Sequence, residues 1–259
     1  MTIDFTTVTE IAGDDVTAEQ VERLCHRYVW AGEYCAGKDV LEVACGNGQG
    51  LGYLGQISNS LHAGDIDNSL VEHARAHYGT RYPIDVMDAQ DLPFEDNSLD
   101  VIIIFEALYY IPDADKFMAE CKRVLRKDGH ILIASANKDL PDFNPSPHSH
   151  IYFGAVELGQ LMDRHGFAAS IFGYWPLASS GVKEKVLRPV KKFVVASGLM
   201  PKTMAGKKLM KRLVFGSLVP MPAEITGDMI EYVAPAPIGD NGPVITHKVV
   251  YCAGRLSVE

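Results

Sequence analysis

Apolar residues along this chain follow two alternating rhythms: short, nearly unbroken runs, and stretches in which they recur every three or four positions. A short run bounded by turn residues predicts a buried strand, and the three-to-four spacing predicts an amphipathic helix. The runs fall at 40–43, 61–66, 101–107, 130–135, 167–174 and 246–256. Helical spacing covers 17–35, where Thr17 is a suitable cap and Val21, Leu24, Cys25, Tyr28 and Ala31 share a face. It recurs from Asn68 to His77, over 113–125, where Asp128-Gly129 precedes the next run, and over 154–165. Strands alternating with helices in this way predict an α/β protein built on one sheet.

The first run leads directly into Ala44-Cys45-Gly46-Asn47-Gly48-Gln49-Gly50. Alternating glycines after a strand suit a turn that takes positive φ and lets backbone approach a ligand closely. Ordinary tight turns and other nucleotide loops share this pattern. The second run ends in Gly64-Asp65-Ile66-Asp67, and Gly46 to Asp65 is close to the roughly 20-residue offset at which an acid at the next strand tip reaches a ribose. The other use of an acid here is as a helix cap. The expectation is that Asp67 or Asn68 caps the helix and Asp65 serves the ribose.

Further along lie Asp88-Ala89, Leu92-Pro93-Phe94 and Leu99-Asp100-Val101-Ile102. Together with Glu42 to Gly50 and Gly64-Asp65-Ile66, these residues resemble the S-adenosylmethionine-dependent methyltransferases of the seven-stranded Rossmann-like superfamily, closest to the branch that methylates small molecules. The resemblance covers roughly 38–175 plus the last strand. It departs at Ala44, where the family carries the first glycine of its motif. It implies a doubly wound Rossmann-like methyltransferase sheet with an antiparallel last strand, with S-adenosylmethionine as cofactor. Glu42 would then lie near the methionyl ammonium, and the loop through Ala44, Cys45, Gly46 and Gly48 against methionine and ribose. Asp65 would bind the ribose hydroxyls, Ile66 would pack on adenine, Asp88 would accept from the adenine amino group and the Ala89 amide would face a ring nitrogen. Phe105 and Glu106 would lie beside the sulfonium. A nicotinamide enzyme would require a glycine at position 51, which is leucine.

In that family the last strand follows at once, whereas here about 70 residues intervene. Between Pro176 and Pro222 ten lysines and arginines stand against the single acid Glu184, so the segment carries about +9 and the remainder about −18 within a net charge of −9. Segregated charge on this scale concerns partners. Val182, Val186, Val190, Phe193 and Val194 mark one helical face in it, and Met204, Leu209, Leu213 and Leu218 another. The segment reads as a helical insertion between the last two strands. It would act as a solvated lid, an anion-reading substrate cap or a peripheral membrane surface. The stretch from Met221 to Pro243, rich in proline, glycine and acids, reads as an extended strap. The expected organisation is an N-terminal helical cap over 1–37, a cofactor-binding core over 38–175, the basic insertion and strap over 176–243, and a closing strand over 244–259.

With 259 residues, 47% of them apolar, the chain can bury one large core. No run of about 18 apolar residues appears, and five scattered cysteines lack paired spacing, which predicts a reduced, cytoplasmic protein. An acidic body without zinc spacing or aromatic-interleaved basic strands argues against a nucleic-acid partner. For chemistry, His148 and His150 sit in the loop after the fifth strand, at the carboxyl edge where open α/β sheets bind ligands. Either could take a proton from a hydroxyl acceptor, or be a solvated turn residue; no acid or cysteine pattern accompanies them as metal ligands. Tyr109 and Tyr110 follow the fourth strand and could line the acceptor pocket, and Tyr28 and Trp30 could close over the cofactor. The expected activity is methyl transfer, most simply O-methylation, to a small polar, anionic acceptor such as a sugar or natural product. A quinone- or lipid-directed enzyme at a membrane surface and a non-catalytic cofactor-binding module are the alternatives.

Overall fold

The structure is a computed structural model that describes residues 5–177, 218–239 and 241–257. In chain order its elements are β1 (Asp15–Thr17), α1 (Ala18–Cys35), β2 (Asp39–Val43), α2 (Leu51–Ile57), β3 (Ser60–Asp65), α3 (Asn68–Tyr78), β4 (Ile84–Val86) and β5 (Leu99–Phe105). There follow α4 (Ala114–Val124), β6 (Leu125–Ala136), α5 (Ala155–Arg164), β7 (Phe167–Pro176), β8 (Leu218–Pro220), β9 (Ala236–Pro237) and β10 (His247–Leu256). The helices start where their caps place them. Thr17 closes a capping box with Gln20, Asp67 accepts from the Ser69 amide, and Asp113 accepts from the Lys116 amide.

Eight strands form the main sheet in the order β4-β3-β2-β5-β6-β10-β7-β9. The pairs among β4, β3, β2, β5 and β6 are parallel, and β10 runs antiparallel between β6 and β7. Because side chains alternate across a strand, a strand buried on both faces feeds two cores. Leu41, Val43, Ile102 and Ile104 pack with Phe117 and Met118 of α4 and Leu158 of α5 on one face. Val40, Val101 and Ile103 pack with Trp30 of α1 and Leu51 and Leu54 of α2 on the other. Each such side chain contributes about 1.5–3 kcal/mol by leaving water. The expected doubly wound sheet with an antiparallel last strand is therefore the fold observed.

Three features depart from the periodicity. First, β6 begins at Leu125, directly after α4, and crosses Asp128 at φ 62, with a register shift between Leu99 and Val101 in its partner β5. Second, β1 pairs with β8, and two-residue β9 adds an edge to β7; segments this short show no period. Third, Trp30, expected near the cofactor, is core, stacked 4.8 Å from Tyr251. The helices expected between 182 and 217 lie outside the described residues.

The strap is held down at several points. Met221 exchanges backbone hydrogen bonds with Gly13 and Asp14, and Ile225 donates to the Gln49 carbonyl. Glu224 pairs with Arg81 at 2.7 Å and with His77 at 3.0 Å, so His77 ties the strap to α3. Further on, His26 Nε2 contacts the Val233 carbonyl at 2.8 Å and Nδ1 the Tyr251 hydroxyl at 3.0 Å. A carbonyl only accepts, so Nε2 carries the proton and Nδ1 accepts from Tyr251. The ring lies 3.4 Å from Tyr174, stacked on it.

Burial lowers the His26 pKa from 6.5 to about 4. A depressed histidine favours the neutral form in the fold, so its stabilisation is complete above the ordinary pKa and disappears as pH falls toward 4. We expect wild type to lose about 2 kcal/mol more than His26→Gln between pH 7 and pH 5 in urea unfolding. Taking the difference between the two proteins cancels other titrations, including that of Glu42. Parallel pH profiles would show that His26 is not the linked group.

Candidate active site

The carboxyl ends of β2, β3 and β5 converge on one cavity of about 830 Å³. After β2 the chain turns through Ala44 at φ 52 and Gly46 at φ 59. Asp65, at the tip of β3, accepts from the Gly46 amide on Oδ2 and from the Asp67 amide on Oδ1, both at 2.9 Å. These bonds fix the carboxylate against the glycine loop and leave each oxygen with further acceptor capacity. Burial raises the Asp65 pKa and the amide bonds oppose that rise. Asp67 is the cap of α3 and also accepts from the Phe5 amide at 3.0 Å.

Asp65, Ile66, Asp88 and Ala89 line the cavity together with Ala44, Cys45, Gly46 and Phe105. Ile66 is 55% exposed, a large apolar side chain presented to open space. Tyr28, Glu106, Tyr109, Tyr110 and His150 line the cavity as well. Tyr109 stacks on Tyr152 at 4.1 Å, and burial pushes its phenol well above the ordinary range, so it can donate a hydrogen bond but is not a base. His150 is exposed at the rim, its amide donating to the Tyr109 carbonyl.

Three expected site residues are not on the cavity wall. Glu42 is 1% exposed and lies behind Tyr28, whose hydroxyl donates to Oε1 at 2.5 Å; burial lifts the carboxyl to about 7. The tyrosine ring can lie there because Gly50 has no side chain, since a Cβ would stand 2.0 Å from it. Gly48 serves packing: its carbonyl accepts from Tyr78, and a Cβ would meet Leu51, Tyr78 and Ala74. His148 faces the edge of the Phe5 ring at 6.4 Å and so supports the N-terminal segment.

That segment is among the site residues the sequence did not reveal. Phe5, Val8, Thr9 and Glu10 line the cavity, and the Glu10 carbonyl accepts from Asn47 and Gln49 of the glycine loop. Met221 of the strap lines it too. Gln20, Arg23, Leu24 and Arg27 of α1 complete the wall. Their three-to-four spacing is a second stripe on the helix and was visible in principle, but nothing local says that a cavity lies beneath it. Among the described residues no group of three or more histidines, cysteines or acids could hold a metal ion.

Residues 41–133 match the family described as a methyltransferase domain. The chain is 34% identical over 152 residues to a Mycolicibacterium smegmatis protein named "Probable S-adenosylmethionine-dependent methyltransferase", covering 56% of this chain and 55% of that one. It is 32% identical over 158 residues to a phthiotriol/phenolphthiotriol dimycocerosates methyltransferase of Mycobacterium leprae, covering 59% and 55%. An O-methyltransferase of Penicillium expansum is 31% identical over 155 residues, covering 58% and 52%. The chain thus spans about half the length of these curated relatives. Among solved structures, an S-adenosylmethionine-dependent methyltransferase from Archaeoglobus fulgidus aligns with a TM-score of 0.55 at 16% identity, covering 92% of this chain and 93% of that one. A [4+2]-cyclase aligns with a TM-score of 0.59 at 15% identity, covering 97% and 88%. These two likenesses show the fold alone.

The residues present fit S-adenosylmethionine, the cofactor of this family. A buried carboxylate with spare lone pairs suits a ribose diol, and exposed Ile66 beside Asp88 and Ala89 suits a purine. Arg27, also on the cavity wall, keeps its Nε buried with no hydrogen-bond partner.

Proposed function

We propose that this chain transfers a methyl group from S-adenosylmethionine to a hydroxyl of a small polar, anionic acceptor. The observation that carries this reading is one cavity of about 830 Å³ whose wall combines acids and apolar groups at the strand tips with arginines, tyrosines and a histidine. Asp65, Ile66, Asp88 and Ala89 suit a nucleoside, while Arg23, Tyr109, Tyr110 and His150 leave room for a second molecule. When bound, the cofactor supplies an electrophilic methyl group on sulfur. The protein's part is to hold the acceptor in line with it, and such positioning contributes roughly 7–11 kcal/mol in favourable cases. The Tyr109 and Tyr110 rings would form the acceptor's walls. Arg23, whose ion pair with Glu19 is loose at 3.9 Å, would attract its negative charge. His150 would take the hydroxyl proton at the rim.

Calorimetry with S-adenosylhomocysteine, followed by a screen of acceptors matched in shape but differing in charge, tests this reading. The expected result is one bound nucleoside per chain and faster turnover of carboxylate or phosphate acceptors. Tight binding of a nicotinamide cofactor in its place would overturn it.

A lipid-directed transfer is the second reading, supported by the name of the Mycobacterium leprae relative. Among the described residues no helix is long and apolar enough to cross a membrane. Binding to a lipid surface would therefore fall to peripheral contacts, for which the basic segment is the candidate. Co-sedimentation with anionic vesicles, lost when Lys207, Lys208, Lys211 and Arg212 are neutralised, would favour this reading over a soluble acceptor.

A further inference from the structure

With Glu42 sealed behind Tyr28, the carboxylate that the family resemblance places at the methionyl ammonium does not reach the cavity. A different pair does. Arg27, on α1, and Glu106, directly after β5, both line the cavity. Arg27 Nη1 stands 3.5 Å from Glu106 Oε1, too long for a well-formed charge-assisted hydrogen bond. The Arg27 side chain is 15% exposed and its Nε–H has no partner.

Glu106 is held firmly in an unusual backbone conformation, at φ 51. Its amide donates to the Ala134 carbonyl at 2.8 Å, and its Oε2 accepts from the Ala136 amide at 3.0 Å. A non-glycine residue in the left-handed region is strained, and such strain recurs where a side chain must be aimed. Here it turns Oε1 toward the guanidinium. The cavity wall thus presents one cation and one anion side by side, loosely paired.

An α-amino acid carries the complementary set, one carboxylate and one ammonium. Exchanging the loose internal pair for two external pairs leaves no buried charge uncompensated, which a lone arginine or a lone glutamate in that position could not achieve. We propose that Arg27 and Glu106 read the amino-acid end of S-adenosylmethionine, Arg27 holding its carboxylate through the guanidinium and Glu106 Oε1 its ammonium, in place of Glu42. The proposal rests on the S-adenosylmethionine reading and adds to it the residues that distinguish that cofactor from a bare adenosine thioether.

The test compares two ligands on the full chain by calorimetry. S-Adenosylhomocysteine carries the amino-acid end, and 5′-methylthioadenosine has the same adenosine and thioether without it. Arg27→Met and Glu106→Gln are each expected to weaken S-adenosylhomocysteine about 10- to 100-fold, with methylthioadenosine within about threefold of wild type. Arg27→Lys, which keeps the charge without the planar fork, should fall between. Glu42→Gln should leave the ratio of the two affinities unchanged. Because the ratio is read only from protein that still binds methylthioadenosine, loss of folding cannot imitate the expected result. An unchanged ratio in both the Arg27 and Glu106 variants, or a ratio that collapses in Glu42→Gln, overturns the assignment. A wild-type chain that binds neither ligand would instead overturn the cofactor reading beneath it.

Discussion

Alanine at His150 is expected to lower turnover of a hydroxyl acceptor by about 10²–10⁴ while cofactor affinity stays at the wild-type value. The argument is one of access. A general base must come within hydrogen-bond reach of the proton it removes, directly or through one water. Of the two histidines in the loop after β6, His150 lines the cavity, whereas His148 packs against Phe5 away from it. Tyr109, the other residue expected to serve chemistry there, keeps its proton because burial opposes its ionisation. His148→Ala should therefore affect turnover far less than His150→Ala, and only through the seating of Phe5 over the site. Steady-state kinetics on the two variants, with S-adenosylhomocysteine binding as the control, separate the roles. Full turnover in His150→Ala would remove the base and favour catalysis by positioning alone, or an amine acceptor.

Asp65→Ala is expected to weaken S-adenosylhomocysteine binding by roughly 2–4 kcal/mol, the cost of two charge-assisted hydrogen bonds with partial compensation by water. The side chain is buried and already anchored by the Gly46 and Asp67 amides, so its orientation toward the cavity does not depend on the ligand. Asp65→Asn preserves the shape but exchanges one acceptor for a donor facing those amides, and should lie close to alanine. Isothermal calorimetry decides both. Affinity within a factor of two of wild type in Asp65→Ala would mean that the carboxylate only shapes the glycine loop.

Part of the cavity wall was legible in the sequence. The run into the glycine loop, the acid at the next strand tip and Asp88-Ala89 are each set by local geometry, and the order of elements brings them to one sheet edge. The cap of α3 was legible for the same reason, because a capping carboxylate bonds an amide two residues away. The rest of the wall was not. Tyr28 and Glu42 both fall in recognisable elements, yet the hydroxyl of one seals the carboxylate of the other only because Gly50 leaves space for the ring. That depends on three backbones meeting.

By itself, then, the sequence determined the alternation of strands and helices, the glycine turn, the helix caps and the acids at the strand tips, since hydrogen bonds within a few residues and the periods of helix and strand specify them. Only the tertiary structure decided which side chains face the cavity. Phe5 and Met221 arrive from opposite ends of the chain, and Arg27 meets Glu106 across the cavity wall between α1 and the end of β5. Contacts between residues so distant in sequence leave no period or spacing behind, because they follow from how the packed faces of the sheet and helices settle against one another.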